Sequence, residues 1–109
     1  MTGIMRVLLS LCTRWASREV TVEELNDLRV AVTEGGGGAR IRLSGLLGNS
    51  ALGICAVTVH PRGGCVNIVL RQRRSNGAYS GRVDREFSVP AGVREVTLGS
   101  GKTVIWRRD

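Results

Sequence analysis

Apolar residues recur at helical spacing after Thr21, and this pattern predicts an amphipathic helix of about three turns. The apolar side of this helix carries Val22, Leu25, Leu28 and Val32. Thr21 and Glu24 have the spacing of a capping box, in which each side chain bonds the other residue's backbone N–H at a helix start. The glycine run Gly35–Gly38 is expected to end the helix, because glycine readily adopts the left-handed geometry of a C-cap.

The segment that precedes this helix fits two different structures. Helical spacing relates Ile4, Val7, Leu8, Leu11 and Trp15. The stretch Ile4–Cys12 also has the composition of a buried strand, and periodicity alone does not separate a short buried strand from a helix. The sequence therefore predicts one or two helices in the N-terminal third. No export signal is expected, because the apolar run is short and no small-residue cleavage site follows it.

From Ala39 onward the pattern changes to alternation with a period of two, which is typical of half-buried strands. Glycine, proline and asparagine turns separate these runs, and such turns are typical of hairpins. The predicted strands begin at Ala39 and then cover Leu52–His60, Cys65–Gln72, Arg82–Val89, Arg94–Leu98 and Thr103–Arg107. The predicted fold is α+β, with an N-terminal helical third packed on an antiparallel sheet of about five or six strands.

Length and composition limit the class of protein. The chain has 109 residues, of which 42% are apolar and 4% aromatic, so one domain spanning residues 1–109 with an aliphatic core is expected. No apolar run reaches the roughly 18 residues of a membrane span, and no membrane association is predicted. The formal net charge is +7, and 15 of the 16 basic residues are arginine.

The arginines are concentrated in the middle of the chain. Residues 35–82 contain seven arginines and no acidic residue, whereas residues 19–34 contain five acidic residues and one arginine. Strand parity gives Arg40 and Arg42 one face of their strand, and Arg71 and Arg73 one face of another. If these strands are neighbours, their arginines form a basic sheet face. The predicted binding residues are Arg40, Arg42, Arg62, Arg71, Arg73 and Arg74.

This basic face predicts a small non-catalytic binding protein with an acidic macromolecular partner. The partner is expected to be an acidic protein, for which the chain would act as an inhibitor, immunity or accessory factor. The alternative partner is nucleic acid, contacted through its phosphate backbone without sequence preference. A third interpretation is a solvated face that the acidic segment 21–34 partly neutralises. The oligomeric state does not follow from the sequence.

Catalytic chemistry has few candidate residues, and we predict that the protein is not an enzyme. A minor alternative is a basic ribonuclease that uses His60, Arg62, Tyr79 and Lys102. Asp84 and Glu86 share one strand face and resemble the spacing of a glycosidase pair, but no cleft or aromatic platform accompanies them. The Gly101–Thr103 stretch lacks the glycine and the following helix that a phosphate-binding loop requires.

The cysteines set the remaining expectations. Cys55, His60 and Cys65 have the spacing of three zinc-knuckle ligands, and Cys12 is the one distant candidate for a fourth. Parity places His60 on the opposite strand face from Cys55, so no metal and no other cofactor is predicted. Three cysteines without an export signal favour reduced thiols and a cytoplasmic location. A cross-strand Cys55–Cys65 disulfide is the alternative for an oxidising compartment.

Overall fold

A computed structural model describes residues 17–49, 51–75 and 79–108, and these residues form eight strands and one short 3₁₀ turn. The 3₁₀ turn covers Val22–Glu24. The strands are β1 (Ser17–Glu19), β2 (Leu25–Gly35), β3 (Gly38–Leu47), β4 (Leu52–Arg62), β5 (Cys65–Arg74), β6 (Arg82–Pro90), β7 (Glu95–Leu98) and β8 (Thr103–Arg107). Within these ranges, no helix has the length and apolar character needed to span a membrane.

The predicted α+β fold is wrong, because the described chain is nearly all β. Glu24 does accept a hydrogen bond from the Thr21 N–H at 2.9 Å, but this contact starts a single 3₁₀ turn that ends at Leu25. The residues assigned to the helix form β2, which pairs with β3 from Leu25 to Gly35. Residues 4–16 lie outside the described residues, so neither interpretation of that segment is tested.

The strand predictions after Ala39 are confirmed with small changes of boundary, as are the β4–β5 and β7–β8 hairpins. The predicted single antiparallel sheet is wrong, because the strands are divided between two sheets and β5 pairs parallel with β7. β3 to β8 correspond to the six predicted strands. The Gly35–Gly38 run forms a hairpin turn between β2 and β3, with Gly36 and Gly37 at φ +64° and +82°. Gly63 and Gly64 have the same left-handed geometry, at φ +57° and +87°, in the turn between β4 and β5. Positive φ at both turn residues is what a tight two-residue hairpin requires.

The strands form two sheets. In the three-stranded sheet, β3 lies between β2 and β6, and both pairings are antiparallel. In the five-stranded sheet, β5 pairs with β4 on one edge. Its other edge is shared by β1, which pairs antiparallel, and β7, which pairs parallel and continues to β8.

One apolar cluster fills the space between the two sheets. β3 contributes Ala39, Ile41, Leu43 and Leu47, and β5 contributes Val66, Ile68 and Leu70, all at most 5% exposed. On each strand these residues alternate with more exposed ones, so each sheet has an inner face in the core and an outer face. The outer faces point in opposite directions, as in a β-sandwich.

Candidate binding surface

Arg40 and Arg42 lie on the outer face of the three-stranded sheet, where β6 supplies a carboxylate to each. The β3–β6 register places Arg42 opposite Glu86 and Ser44 opposite Asp84, so the acids run beside the arginines. Arg42 donates from Nε and Nη2 to the two carboxylate oxygens of Asp84, both at 3.2 Å. Arg40 Nη1 lies 3.7 Å from Glu86 Oε1. These two arginines therefore have their charge compensated within their own sheet.

Arg42 and Asp84 form an exposed ion pair. The hydrogen bond from Arg42 holds the pKa of Asp84 below its ordinary value of 3.8, and the nearby positive charge lowers it further. The carboxylate is therefore ionised wherever the protein would meet an acidic ligand near neutral pH. Any such ligand would have to compete with Asp84 for the same guanidinium donors.

Arg71, Arg73 and Arg74 lie at the end of β5 in the other sheet, and we call them the β5 arginine cluster. Arg71 and Arg73 share the outer face, whereas Arg74 has the strand parity of Gln72 and is exposed at the strand end. Arg71 is held by Ser17 of β1, donating from Nε to the hydroxyl and from Nη2 to the carbonyl oxygen, both at 3.0 Å. The Arg73 guanidinium lies over the Tyr79 ring, 5.6 Å from its centroid, and Arg74 is exposed. Within residues 17–49, 51–75 and 79–108, none of these three arginines forms an ion pair with a carboxylate.

Glu19 is the nearest acidic neighbour of this cluster in the strand register, directly opposite Arg71. Its carboxylate is bonded elsewhere: Oε2 accepts hydrogen bonds from the Ser100 N–H at 2.8 Å and from the Ser100 hydroxyl at 3.1 Å. Glu19 therefore lowers the positive potential near Arg71 without occupying the guanidinium. Because Arg71 already donates from Nε and Nη2 to Ser17, the donors left for a ligand are chiefly those of Arg73 and Arg74.

Arg62 is separate from both groups. It pairs with Cys65 at the hairpin end of β4, eight residues along β5 from Arg73, which corresponds to roughly 26 Å. The structure thus divides the six predicted residues into three places, because β3 and β5 belong to different sheets. None of the six pairs with Glu23, Glu24 or Asp27 in the described part of the chain, so the acidic segment does not neutralise them.

Between Arg62 and the β5 arginine cluster, the outer face of β4 and β5 has small or uncharged side chains. We call this region the β4–β5 outer face. Its residues are half-buried by their neighbours, and they are Ala56, Thr58, His60, Asn67 and Val69. Cys55 lies at the β-bulge beside Ala56, where burial raises the pKa of its thiol against the opposing effect of Arg73 and Arg71. The surface is therefore flat and neutral at its centre, with arginine at both ends.

The cysteine and histidine candidates do not come together. His60 pairs with Asn67 and Cys65 pairs with Arg62, whereas Cys55 lies opposite the other end of β5. Cys55 and Cys65 are roughly 20 Å apart along the strands, far beyond the reach of about 7 Å between the Cα atoms of a disulfide. The described residues contain no group of three potential metal ligands.

The catalytic alternatives are also dispersed. Tyr79 packs beside Gly53 and Arg73, at the opposite end of β4 from Arg62, and Lys102 lies in the turn between β7 and β8. Asp84 is held by Arg42 and Glu86 lies within ion-pair distance of Arg40, so the predicted carboxylate pair is arranged as two separate ion pairs. The ribonuclease set and the glycosidase-like pair thus have no common site.

The sequence interpretation missed three arginines, Arg94, Arg107 and Arg108, which line one groove with the β4–β5 turn. A regular hairpin centred on Gly99–Lys102 would place Glu95 opposite Trp106. A β-bulge between Val96 and Thr97 shifts the register so that Glu95 lies opposite Arg107, and the two form an ion pair at 2.8 Å. Their position beside Gly63 and Gly64 depends on the parallel pairing of β5 with β7, which no local pattern indicates.

The described fold and surface define a two-sheet β protein in which Arg40 and Arg42 have carboxylate partners, whereas the β5 arginine cluster has none in the described ranges. Arg29 and Arg82 on the three-stranded sheet are also exposed without an ion pair among the described residues. No family model matches the chain, and neither the curated proteins nor the solved structures include a significant match. The functional interpretation therefore depends on the chemistry of the surface itself.

Proposed function

We propose that this chain is a small non-catalytic binding protein that engages an acidic protein partner through the β4–β5 outer face and the β5 arginine cluster. The observation that supports this proposal is the contrast between two groups of the predicted arginines. Arg40 and Arg42 have carboxylate partners, whereas Arg71, Arg73 and Arg74 have none in the described ranges. An arginine that is positioned by neutral groups keeps its charge available for a carboxylate of another molecule.

An acidic protein fits this surface better than a nucleic acid does. Three arginines would neutralise about three phosphates, which gives a log–log salt slope of only about −2.7 on duplex DNA, whereas strong backbone binders contact about 6–10 phosphates. The neutral strip of Ala56, Thr58, Asn67 and Val69 has no role against a phosphate backbone. Protein interfaces, in contrast, combine a centre depleted in charge with arginine among the favoured contacts.

The direct test replaces the β5 arginine cluster and measures binding to an acidic polypeptide. The triple variant Arg71→Ala/Arg73→Ala/Arg74→Ala is compared with Arg40→Ala/Arg42→Ala, which removes a similar charge from the ion-paired face. Binding of fluorescein-labelled polyglutamate and of a random DNA duplex is followed by fluorescence anisotropy at several salt concentrations. We expect the triple variant to lose at least about tenfold in affinity for polyglutamate, while the control keeps wild-type affinity.

Two outcomes would contradict the proposal. One is an equal loss in both variants, which would indicate a general charge effect. The other is tighter binding to duplex DNA than to polyglutamate with a steep salt slope, which would favour the nucleic-acid alternative. Because Arg71 also bonds Ser17, the double variant Arg73→Ala/Arg74→Ala keeps the test valid if the triple variant is unstable.

A cytoplasmic location is part of the same proposal. It is supported by the separation of Cys55 and Cys65, which prevents these two residues from forming a disulfide within the folded chain. Thiols without a partner in the fold are compatible with a reducing compartment.

A further inference from the structure

A groove of about 320 Å³ opens at the end of the five-stranded sheet that is remote from the β5 arginine cluster. The turn between β4 and β5 forms one wall, and the chain around β7 and β8 forms the other. The residues that line the groove include Gly63, Gly64, Cys65, Arg94, Arg107 and Arg108. Cys65 and Arg107 have the same strand parity as the β4–β5 outer face, so the groove continues that face at its Arg62 end.

Each of the three guanidinium groups in this groove is held along one edge. Arg107 donates from Nε and Nη2 to Glu95 Oε2, at 3.2 and 2.8 Å. Arg108 donates from Nε to the Val93 carbonyl oxygen at 2.9 Å and from Nη2 to Glu34. Arg94 makes one long contact, from Nη2 to the Gly63 carbonyl oxygen at 3.4 Å. The Nη1 groups of all three have no acceptor among the residues that the structure describes.

The charges around the groove do not cancel. Glu95 and Glu34 balance Arg107 and Arg108, but Arg94 has no carboxylate partner in the described chain, and Arg62 lies on the adjoining strand end. Glu34 also accepts hydrogen bonds from the backbone N–H groups of Gly92 and Val93, at 3.0 and 3.1 Å. Donors on several sides of this carboxylate weaken its repulsion of an incoming anion. Among the described residues, the groove therefore has positioned donors and more guanidinium than carboxylate groups.

We infer that this groove is a second anion subsite, and that it takes a carboxylate side chain from the same acidic partner. A planar carboxylate fits the free edge of a guanidinium better than a point anion does, because both of its oxygens can accept parallel N–H bonds. The subsite rests on the proposed function for the nature of the partner, but it uses a different set of residues.

The distance between the two basic regions specifies the partner further. Cys65 in the groove and Arg73 in the β5 arginine cluster are eight residues apart on β5, or roughly 26 Å. An extended chain covers the same distance in about eight residues. The neutral strip between them matches uncharged residues of the ligand. The inferred ligand is thus an extended segment with acidic residues at both ends and an uncharged middle.

Two synthetic peptides of identical composition test this inference. The split peptide carries two Glu at each end with about eight uncharged residues between them, and the clustered peptide carries the four Glu together. We expect wild-type protein to bind the split peptide more tightly. Arg94→Ala should lower affinity for the split peptide about tenfold and leave affinity for the clustered peptide unchanged. The substitution should not disturb the fold, because the side chain of Arg94 makes one long contact and no ion pair among the described residues. Arg29→Ala, which removes an exposed charge from the three-stranded sheet, is the matched control and should change neither affinity.

The outcomes separate this inference from the proposed function. If both peptides bind equally and Arg94→Ala has no effect, while the β5 triple variant still loses affinity, the groove is not a subsite and the proposed function stands. If neither the triple variant nor Arg94→Ala changes binding, or if wild-type protein binds neither peptide, both proposals are overturned. If Arg29→Ala weakens binding as much as Arg94→Ala does, the effect is one of net charge and the inference is wrong.

Discussion

Glu24 joins three parts of the chain through one carboxylate. It accepts hydrogen bonds from the Thr21 N–H at 2.9 Å, from Gln72 Nε2 at 3.0 and 3.1 Å, and from Arg18 Nη2 at 2.8 Å. Gln72 is 1% exposed on the inner face of β5, where an amide without a partner is costly. The carboxylate thus satisfies a buried donor and fixes the 3₁₀ turn against the five-stranded sheet.

The protonation of Glu24 should make stability depend on pH. The pKa of Glu24 lies below its ordinary value of 4.5, chiefly because of the Thr21 backbone hydrogen bond. Burial opposes this shift, and hydrogen bonds from the Gln72 and Thr21 side chains and the charge of Arg18 lower the pKa further. Because the pKa is lower in the folded state, the stabilisation is complete above the unfolded value and is lost as pH falls through the folded one. Glu24→Gln should cost about 1–2 kcal/mol of unfolding free energy at neutral pH.

Urea unfolding at neutral pH and below pH 4.5 measures this effect. Wild-type protein should lose stability between the two conditions, and Glu24→Gln should lose less, because glutamine does not titrate. Glu23→Gln is the control, since Glu23 lies exposed in the same turn. An identical acid response of wild-type protein and Glu24→Gln would show that this carboxylate does not carry the dependence.

At the scale of elements, β2 shows why one strong local signal misled the sequence interpretation. Thr21 and Glu24 form the expected contact, but a cap determines where a helix can begin and not how far it continues. Leu28, Val30 and Val32 also alternate with a period of two, and all three pack partly against the core. Val30, Val32 and Thr33 are β-branched, and pairing with β3 over most of the strand favours the extended form.

The glycine run after β2 distinguishes a hairpin from a helix end. In the structure, Gly35 has ordinary strand geometry with open space around its Cα, whereas Gly37 has φ +82° in the turn. Gly37→Ala should therefore cost about 1–2 kcal/mol, the penalty of left-handed backbone for a residue with a Cβ. Gly35→Ala should be neutral or slightly stabilising, because it reduces the entropy of the unfolded chain.

Thermal unfolding of the two variants measures this difference. A helix that ends at Gly35 would need left-handed geometry there, so the cost would fall on Gly35→Ala. A larger loss in Gly35→Ala than in Gly37→Ala would contradict the assignment of β2 and its turn.

For the whole molecule, the local patterns predicted the strands but not how the strands meet. Alternation and turn residues located β3 to β8, because these signals depend on neighbouring residues only. The assignment of β3 and β5 to different sheets depends on pairing over long sequence distances, to which periodicity is blind. Strand parity correctly placed Arg40 and Arg42 on one face, and Arg71 and Arg73 on another. The prediction that the two pairs form a single basic face is wrong, because β3 and β5 belong to different sheets.

Strand pairing over long sequence distances also determines which arginines have a carboxylate partner. Asp84 and Glu86 are more than forty residues from Arg42 and Arg40 in sequence, and only the β3–β6 pairing brings them together. The strands that pair with the β5 arginine cluster place one described acidic residue opposite it, Glu19, which lies opposite Arg71. The Glu19 carboxylate accepts hydrogen bonds from Ser100 instead. The sheet topology therefore gives Arg40 and Arg42 carboxylate partners and gives the β5 arginine cluster none in the described ranges.

The contrast between the ion-paired Arg40 and Arg42 and the β5 arginine cluster can be tested by mapping a ligand onto the backbone amides. Labelled protein is titrated with polyglutamate at constant ionic strength, and amide chemical shifts are followed by NMR. We expect saturable amide shift changes in β4, in β5 and in the turn at Gly63 and Gly64, and no change in β3 and β6. Shifts centred on Arg40 and Arg42, or spread evenly over all arginines, would contradict it.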